Sequence, residues 1–219
     1  LGMFAQLSQG GCGPRSNFLT SGKDSPRIAP ASQLASLGGY ASPMIVEDKK
    51  TVTMEEGKTK AVFSRETGTL CELTMDGKTI LKDPTRGIVA GPRLTWMRAF
   101  VDNDVWLFAE SQWHEGWGLL IPSGLTQPRY HVRVLKVEGG SVRSVVEITG
   151  AKSAGFLHES VWTLGKDGGL RVENVVTPFG TMPPAIPRLG LSLKIDKSLD
   201  NVRWYGRGPR ENYIDRCSG

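Results

Sequence analysis

Two stretches concentrate the residues that could do chemistry. The first begins at RAFVDNDVW, residues 98 to 106, and runs on through a tryptophan-rich tract. Asp102, Asn103 and Asp104 start like a calcium loop. The glycine and glutamate that an EF-hand needs at its sixth and twelfth positions are missing. Three short polar side chains without that frame fit an Asx-stabilised loop, in which they bond their own backbone. No metal site is expected there. Trp96, Phe100, Trp106, Phe108, Trp113 and Trp117 crowd the same tract. Exposed indole rings can stack on the C–H faces of a sugar, while Asp104, Glu110 and His114 could bond its hydroxyls. Ordinary core packing is the competing reading, since tryptophan is highly buried on average. Trp106 and Trp113, flanked by polar residues, are the expected exposed pair.

The second stretch is VRWYGRGPRENYIDRCSG, residues 202 to 219. Gly206 and Gly208 permit a tight turn, and Pro209 fixes the next step. Glu211, Asn212, Asp215 and four arginines crowd around it. Such a cluster could bind an anion or a polyol. It could equally pin an irregular connection against a sheet through Arg–carboxylate pairs, and the structural role is favoured because polar groups in an ordered loop must find partners anyway. Elsewhere, carboxylate pairs such as Glu110 with Glu115, or Asp102 with Asp104, could face each other across a glycoside, but no spacing singles one out. His114, His131 and His158 belong to no nucleophile motif, and G-x-S-x-G is absent. His131 and His158 fall in strand patterns and are read as structural. No phosphate loop or dinucleotide fingerprint occurs.

The elements that must position these residues read as β. The chain has 219 residues, 27 of them glycine and 13 proline, which suits short strands joined by turns. Residues 1–45 are rich in Gly, Ser, Pro and Ala and read as irregular linker or tail. Residues 46–219 form the folded domain, with a regular core starting near residue 50. Asp76-Gly77 and Gly139-Gly140 are hairpin turns, and GKDGG at 165–169 is a third. Val142, Val146 and Ile148 alternate with Arg143 and Glu147. Leu189, Leu191, Leu193 and Ile195 alternate with Gly190, Ser192, Lys194 and Asp196. One-sided alternation with a turn about every ten residues implies antiparallel sheets in a sandwich-type all-β fold. Residues 87–120 have no clean period of two and read as a long excursion with short ordered pieces.

Composition bounds the partners. The net charge is +5, but the Lys and Arg are scattered among acids, so no phosphate-tracking stripe exists and nucleic acid is not expected. No segment has the length and apolarity to span a membrane, and the first ten residues lack the features of a secretory leader. Cys12, Cys71 and Cys217 are too few and too far apart for a disulfide framework or a zinc site. Cys71 shares its parity with Leu73 and Met75 and is read as a buried thiol. A start without Met and an end soon after a dense motif read as a fragment or processed product.

WYGRGPRENYIDR, residues 204 to 216, closely resembles the W-Y-G-x-G-P-x-E-N-Y-x-D-R signature of family 2 β-galactosidases. Its fixed positions are Trp204, Tyr205, Gly206, Gly208, Pro209, Glu211, Asn212, Tyr213, Asp215 and Arg216. RAFVDND resembles that family's R-A-P-x-D-N-D, with Phe100 in place of proline. FSRETGTL, residues 63 to 70, resembles its F-x-R-x-x-G-x-L hairpin, and PRLGLSLKI resembles the segment leading into the signature. The likeness runs from about residue 50 to 219. It implies the small-chain domain, an antiparallel β-supersandwich of galactose-mutarotase-like type, here incomplete because little follows Arg216. It implies that residues after Asp102-Asn103-Asp104 approach the sugar site, with Asp102, Asn103, Asp104, Trp106, Trp113 and His114 as substrate-contacting candidates.

The resemblance also implies what is elsewhere. The family's catalytic carboxylates, including an Asn-Glu motif, lie on a separate barrel domain. This chain has no Asn-Glu dipeptide. The expectation is a non-catalytic domain whose partners are the barrel and, through it, a β-galactoside. No cofactor is expected in the chain, and any Mg or Na of the parent enzyme would bind elsewhere. Open sheet edges would favour aggregation or homo-oligomers. The compartment stays open between bacterial cytoplasm and periplasm. Two other readings remain: a free-standing carbohydrate-binding module, and an aldose epimerase, for which no acid–base pair can be assigned.

Overall fold

The computed structural model describes residues 43–84, 88–97, 120, 123–151, 154–183 and 186–201. Among these residues there are eleven strands and no helix. Strands β1 (Met44–Glu47), β2 (Thr51–Glu56), β3 (Thr59–Ser64), β4 (Leu70–Met75) and β5 (Lys78–Lys82) form one antiparallel meander in chain order. Strand β6 (Arg93–Thr95) follows. Then β7 (Arg129–Glu138), β8 (Ser141–Thr149), β9 (Gly155–Leu164) and β10 (Leu170–Phe179) form a second meander of longer strands. Strand β11 (Gly190–Ser192) pairs with β6. All pairings are antiparallel, as the one-sided alternation predicts.

The turn chemistry works as expected. Met75 pairs with Lys78, leaving Asp76 and Gly77 as a two-residue loop with φ of 50° and 73°. Both values are positive, which identifies the type I′ geometry that matches strand twist. Gly139-Gly140 joins Glu138 to Ser141 in the same way, and residues 165–169 join Leu164 to Leu170.

The two meanders pack face to face. Val52, Met54, Ala61, Phe63, Leu70 and Leu73 from the first meet Leu135, Val142, Trp162 and Leu164 from the second. The rings of Phe63 and Trp162 touch across the layers, with centroids 5.4 Å apart and planes tilted by 59°. The second meander is longer than the first covers. Its other half packs Val146, Ile148 and Phe156 against Leu94, Trp96, Leu120 and Leu125, forming a second core. In β8, Val142, Val146 and Ile148 are buried while Arg143 and Glu147 are not, as their alternation predicts.

Three details differ from the sequence reading. Strand β1 precedes residue 50, but it lies at a sheet edge and gives only Ile45 to the core; among the described residues the first that is fully buried is Val52. Cys71 is half-buried rather than buried. Leu73 pairs with Ala61, Glu72 with Val62 and Leu70 with Phe63, so Cys71 is the extra residue of a β-bulge. The bulge shifts parity: Leu70 and Leu73 both face inward, and the Cys71 thiol bonds the Val62 carbonyl at 3.3 Å. Finally, the alternation over 189–195 is only partly used. Leu191 and Leu193 pack on the two cores, whereas Leu189 and Ile195 are exposed. The segment changes partner: after the β6 pairing, the Lys194 amide bonds the Ala90 carbonyl and the Asp196 amide bonds the Ile80 carbonyl. A continuous ladder would be needed to hold all four side chains on one face.

Candidate functional site

The sugar-contact candidates Asp102, Asn103, Asp104, Trp106, Trp113 and His114 lie outside the described residues. So does the whole signature from Trp204 to Arg216. The residues on either side of the first stretch are well placed. Trp96 is buried, and its indole Nε1–H donates to the Leu125 carbonyl at 3.1 Å. It packs against Phe156 at 5.2 Å between centroids. Leu120 is buried in the same cluster, and the Ser123 hydroxyl donates to its carbonyl at 2.6 Å. Trp96, Met97 and Leu120 therefore pack in one core. For Trp96, the choice between sugar contact and core packing goes to the core. Ahead of the second stretch, Leu199 packs on the first core and its amide bonds the Asp196 carbonyl at 3.0 Å.

Between the two cores lies a belt of polar side chains. Alternation puts His158 and Ser160 of β9 on the inner face, between Phe156 and Trp162. His158 is only 6% exposed. Its Nε2 is 2.9 Å from Asn174 Oδ1 on β10 and 3.2 Å from Ser160 Oγ. The Ser160 hydroxyl donates to the same Asn174 Oδ1 at 2.9 Å. On β8, the Ser144 hydroxyl donates to the Gly68 carbonyl in the β3–β4 turn. That turn, Thr67-Gly68-Thr69, reaches down onto the sheet, and the Thr69 hydroxyl donates to the Pro92 carbonyl at 2.9 Å. Arg93 stacks over the Tyr130 ring, 4.3 Å from its centroid, at the edge of the belt. The Thr67-Gly68-Thr69 turn, Arg93, Tyr130, His158 and Ser160 line a small cavity of about 20 Å³.

Electrostatics follow from burial. Taking His158 out of water disfavours its cation and holds its pKa below the ordinary value, with the bond to Asn174 opposing weakly. Burial raises the Tyr130 phenol, against the nearby Arg93 charge. Asn174 Oδ1 can only accept, so the His158 Nε2 facing it carries the ring proton. That nitrogen is then no base for Ser160, whose own proton goes to Asn174. The Ser–His pair is a satisfied core cluster and not an activated nucleophile. This agrees with the structural reading of His158. His131, on β7, pairs with Glu147 on the outer face. Glu147 there takes a two-pronged bond from Arg133 at 2.8 and 2.9 Å.

Glycoside hydrolysis needs two carboxyl groups roughly 5 to 10 Å apart across a sugar. Among the described residues, no acidic residue lines the cavity above, and its volume is far below that of a sugar. Among the described residues, no group of three or more His, Cys, Asp or Glu comes together in a way that could hold a metal ion.

The structure also explains residues that sequence reasoning left without a role. In FSRETGTL, Phe63 and Leu70 are core residues. Arg65 donates to the carbonyls of Asp48 at 2.9 Å and Leu135 at 3.0 Å, and to the Glu47 carboxylate at 2.6 Å. It thereby ties β1 and the β1–β2 turn to β7 of the other sheet. Gly68 has φ of 67°, and a Cβ there would lie 2.7 Å from Val146 Cγ2. The spacing of that motif was readable; the contacts that require it cross more than sixty residues and were not.

The beta galactosidase small chain family model matches residues 55–219. Curated relatives agree. A beta-galactosidase of Vibrio cholerae is 30% identical over 183 residues, covering 80% of this chain and 17% of the relative. One from Priestia megaterium is 27% identical over 174 residues, covering 79% of this chain and 15% of the relative. One from Enterobacter cloacae is 31% identical over 163 residues, covering 70% and 15%. The chain thus spans less than a fifth of the length of these relatives. An all-β antiparallel sandwich, the hairpin motif built as its residues require, and a family match over well more than half of the chain lead to one assignment: the chain belongs to the beta-galactosidase small chain family.

Proposed function

We propose that this chain is a non-catalytic part of a β-galactosidase and helps shape the galactoside site of a catalytic barrel carried elsewhere. The parent reaction is hydrolysis of terminal β-D-galactosides. The observation that carries this reading is the match itself: the chain aligns to one small portion of much longer beta-galactosidases. The described residues supply packing, turns and a hydrogen-bonded polar belt, with no facing carboxylate pair in the cavity. Val105 through Trp113, the segment after Asp102-Asn103-Asp104, are assigned to the sugar. Trp96 and Leu120, which flank that segment in sequence, both pack in one core. In this reading Asp102, Asn103 and Asp104 contact the substrate, Trp106 and Trp113 offer ring faces, and His114 bonds a hydroxyl. Any Mg or Na of the parent reaction is assigned to residues outside this chain.

The test is made in the full-length enzyme that carries this segment. Trp106→Ala and Asp104→Ala are expected to raise KM for a β-galactoside by about tenfold or more, the loss of roughly one good contact. Values of kcat and KM unchanged in both variants would refute the placement of this loop at the sugar.

A further inference from the structure

The polar belt contains one group that the described contacts leave unsatisfied. Thr67 Oγ1 is buried and has no hydrogen-bond partner among the described residues. It lines the cavity shared with Thr69, Arg93, Tyr130, His158 and Ser160. Buried hydroxyls nearly always find a partner. The volume decides what that partner can be. A polar cavity needs on the order of 10–15 Å³ of space for a water's centre, and two to four polar neighbours. The cavity measures about 20 Å³, enough for one water and for no organic ligand. Its walls offer the hydroxyls of Thr67, Thr69 and Ser160 and the His158 ring. The Ser160 and Thr69 protons are committed to Asn174 and to the Pro92 carbonyl, so both oxygens can accept from a water.

We propose that this cavity is the site of one ordered structural water, which bridges Thr67 Oγ1 on the β3–β4 turn to the His158–Ser160 pair on β9. The water completes a hydrogen-bonded joint between the two sheets, where the two apolar cores meet. The Ser144 bond to the Gly68 carbonyl is the direct half of that joint, and the water is the indirect half.

The sign of one substitution tests this. Valine has the shape of threonine without the hydroxyl. If Thr67 Oγ1 is an orphan, Thr67→Val removes a buried unsatisfied group and leaves stability unchanged or higher. If it holds a water, Thr67→Val breaks the bridge and leaves the remaining groups short of a partner. Urea unfolding of the 219-residue chain is expected to show the folded-to-unfolded ratio lowered about tenfold by Thr67→Val, and largely kept by Thr67→Ser. A Thr67→Val variant as stable as the parent, or more so, overturns the proposal. Should Thr67→Val fail to fold, a crystal structure of the parent chain decides. Water density within hydrogen-bonding distance of Thr67 Oγ1 and of His158 or Ser160 supports the bridge, and a dry cavity refutes it.

Discussion

Gly68 sits so close to Val146 that a Cβ on it would lie 2.7 Å from the valine Cγ2, with both Val132 methyls just beyond 3 Å. The β3–β4 turn therefore rests its bare backbone on the inner face of the opposite sheet. Two separate demands fall on this glycine, a left-handed φ of 67° and the lack of a side chain. Gly57 isolates the first, since its φ is 57° but nothing lies within 4 Å of its Cβ position. Gly57→Ala is expected to cost about 1 kcal/mol for the backbone alone. Gly68→Ala is expected to cost about 2–4 kcal/mol, because overpacking adds to strain. Equal losses in the two variants, measured by chemical denaturation, would show that the close approach carries no energy.

The Phe63–Trp162 contact joins the two sheets near the centre of the first core. Phe63→Ala is expected to destabilise by about 3–5 kcal/mol, as the large hole cannot fully collapse. A double-mutant cycle with Trp162→Leu is expected to give a coupling of about 0.5–1.5 kcal/mol. Strict additivity would mean that the rings merely share a core.

His158 predicts a stability change at mildly acid pH. Its folded pKa is depressed below the ordinary 6.5, chiefly by burial. The unfolded chain therefore binds the proton first as pH falls. Stability from this group is complete above about pH 6.5 and declines as pH drops from there towards the folded pKa. Among the groups lining its cavity, Arg93 is the charged one and Tyr130 is neutral here, so no carboxylate rescues the cation. Glu147 and Asp48, whose carboxyls are held down by hydrogen bonds from Arg133 and from the Lys50 amide, act in a separate window, starting only near their ordinary 4.5 and 3.8. His158→Gln is expected to flatten the loss of stability between pH 7 and 5 while leaving the steeper loss below. An unchanged slope in that variant would place the titration elsewhere.

Burial pushes the Cys71 thiol up to about 11. At pH 8 about one molecule in a thousand would then hold the reactive thiolate. In a chain with Cys12 and Cys217 changed to serine, iodoacetamide is expected to label Cys71 slowly in buffer and rapidly in urea. Equal rates in both conditions would show that the β-bulge leaves the thiol open.

Much of this fold is legible in the sequence because local chemistry dictates it. Asp76-Gly77 and Gly139-Gly140 fix their hairpins through left-handed backbone that few other pairs adopt. The alternation in Ser141–Thr149 fixes which face is wet. The misreadings have one cause, which is that register depends on the partner strand. Cys71 looks buried by parity until a bulge opposite Val62 shifts the count. Leu189 and Ile195 look like core until the segment changes partners. The polar joint was illegible for a similar reason. Thr67 is far along the chain from His158 and Ser160, Asn174 meets them only across the β9–β10 ladder, and each alone is an ordinary strand or turn residue. The candidate sugar contacts rest on the resemblance of RAFVDND and on aromatic content, and they fall outside the described residues.

In the proposed division of labour, this chain shapes a site and a barrel carried elsewhere performs the chemistry. The most direct test is a chromogenic β-galactoside incubated with the pure 219-residue chain at high concentration. The account predicts release no faster than the buffer blank, and turnover proportional to the amount of pure chain would contradict it.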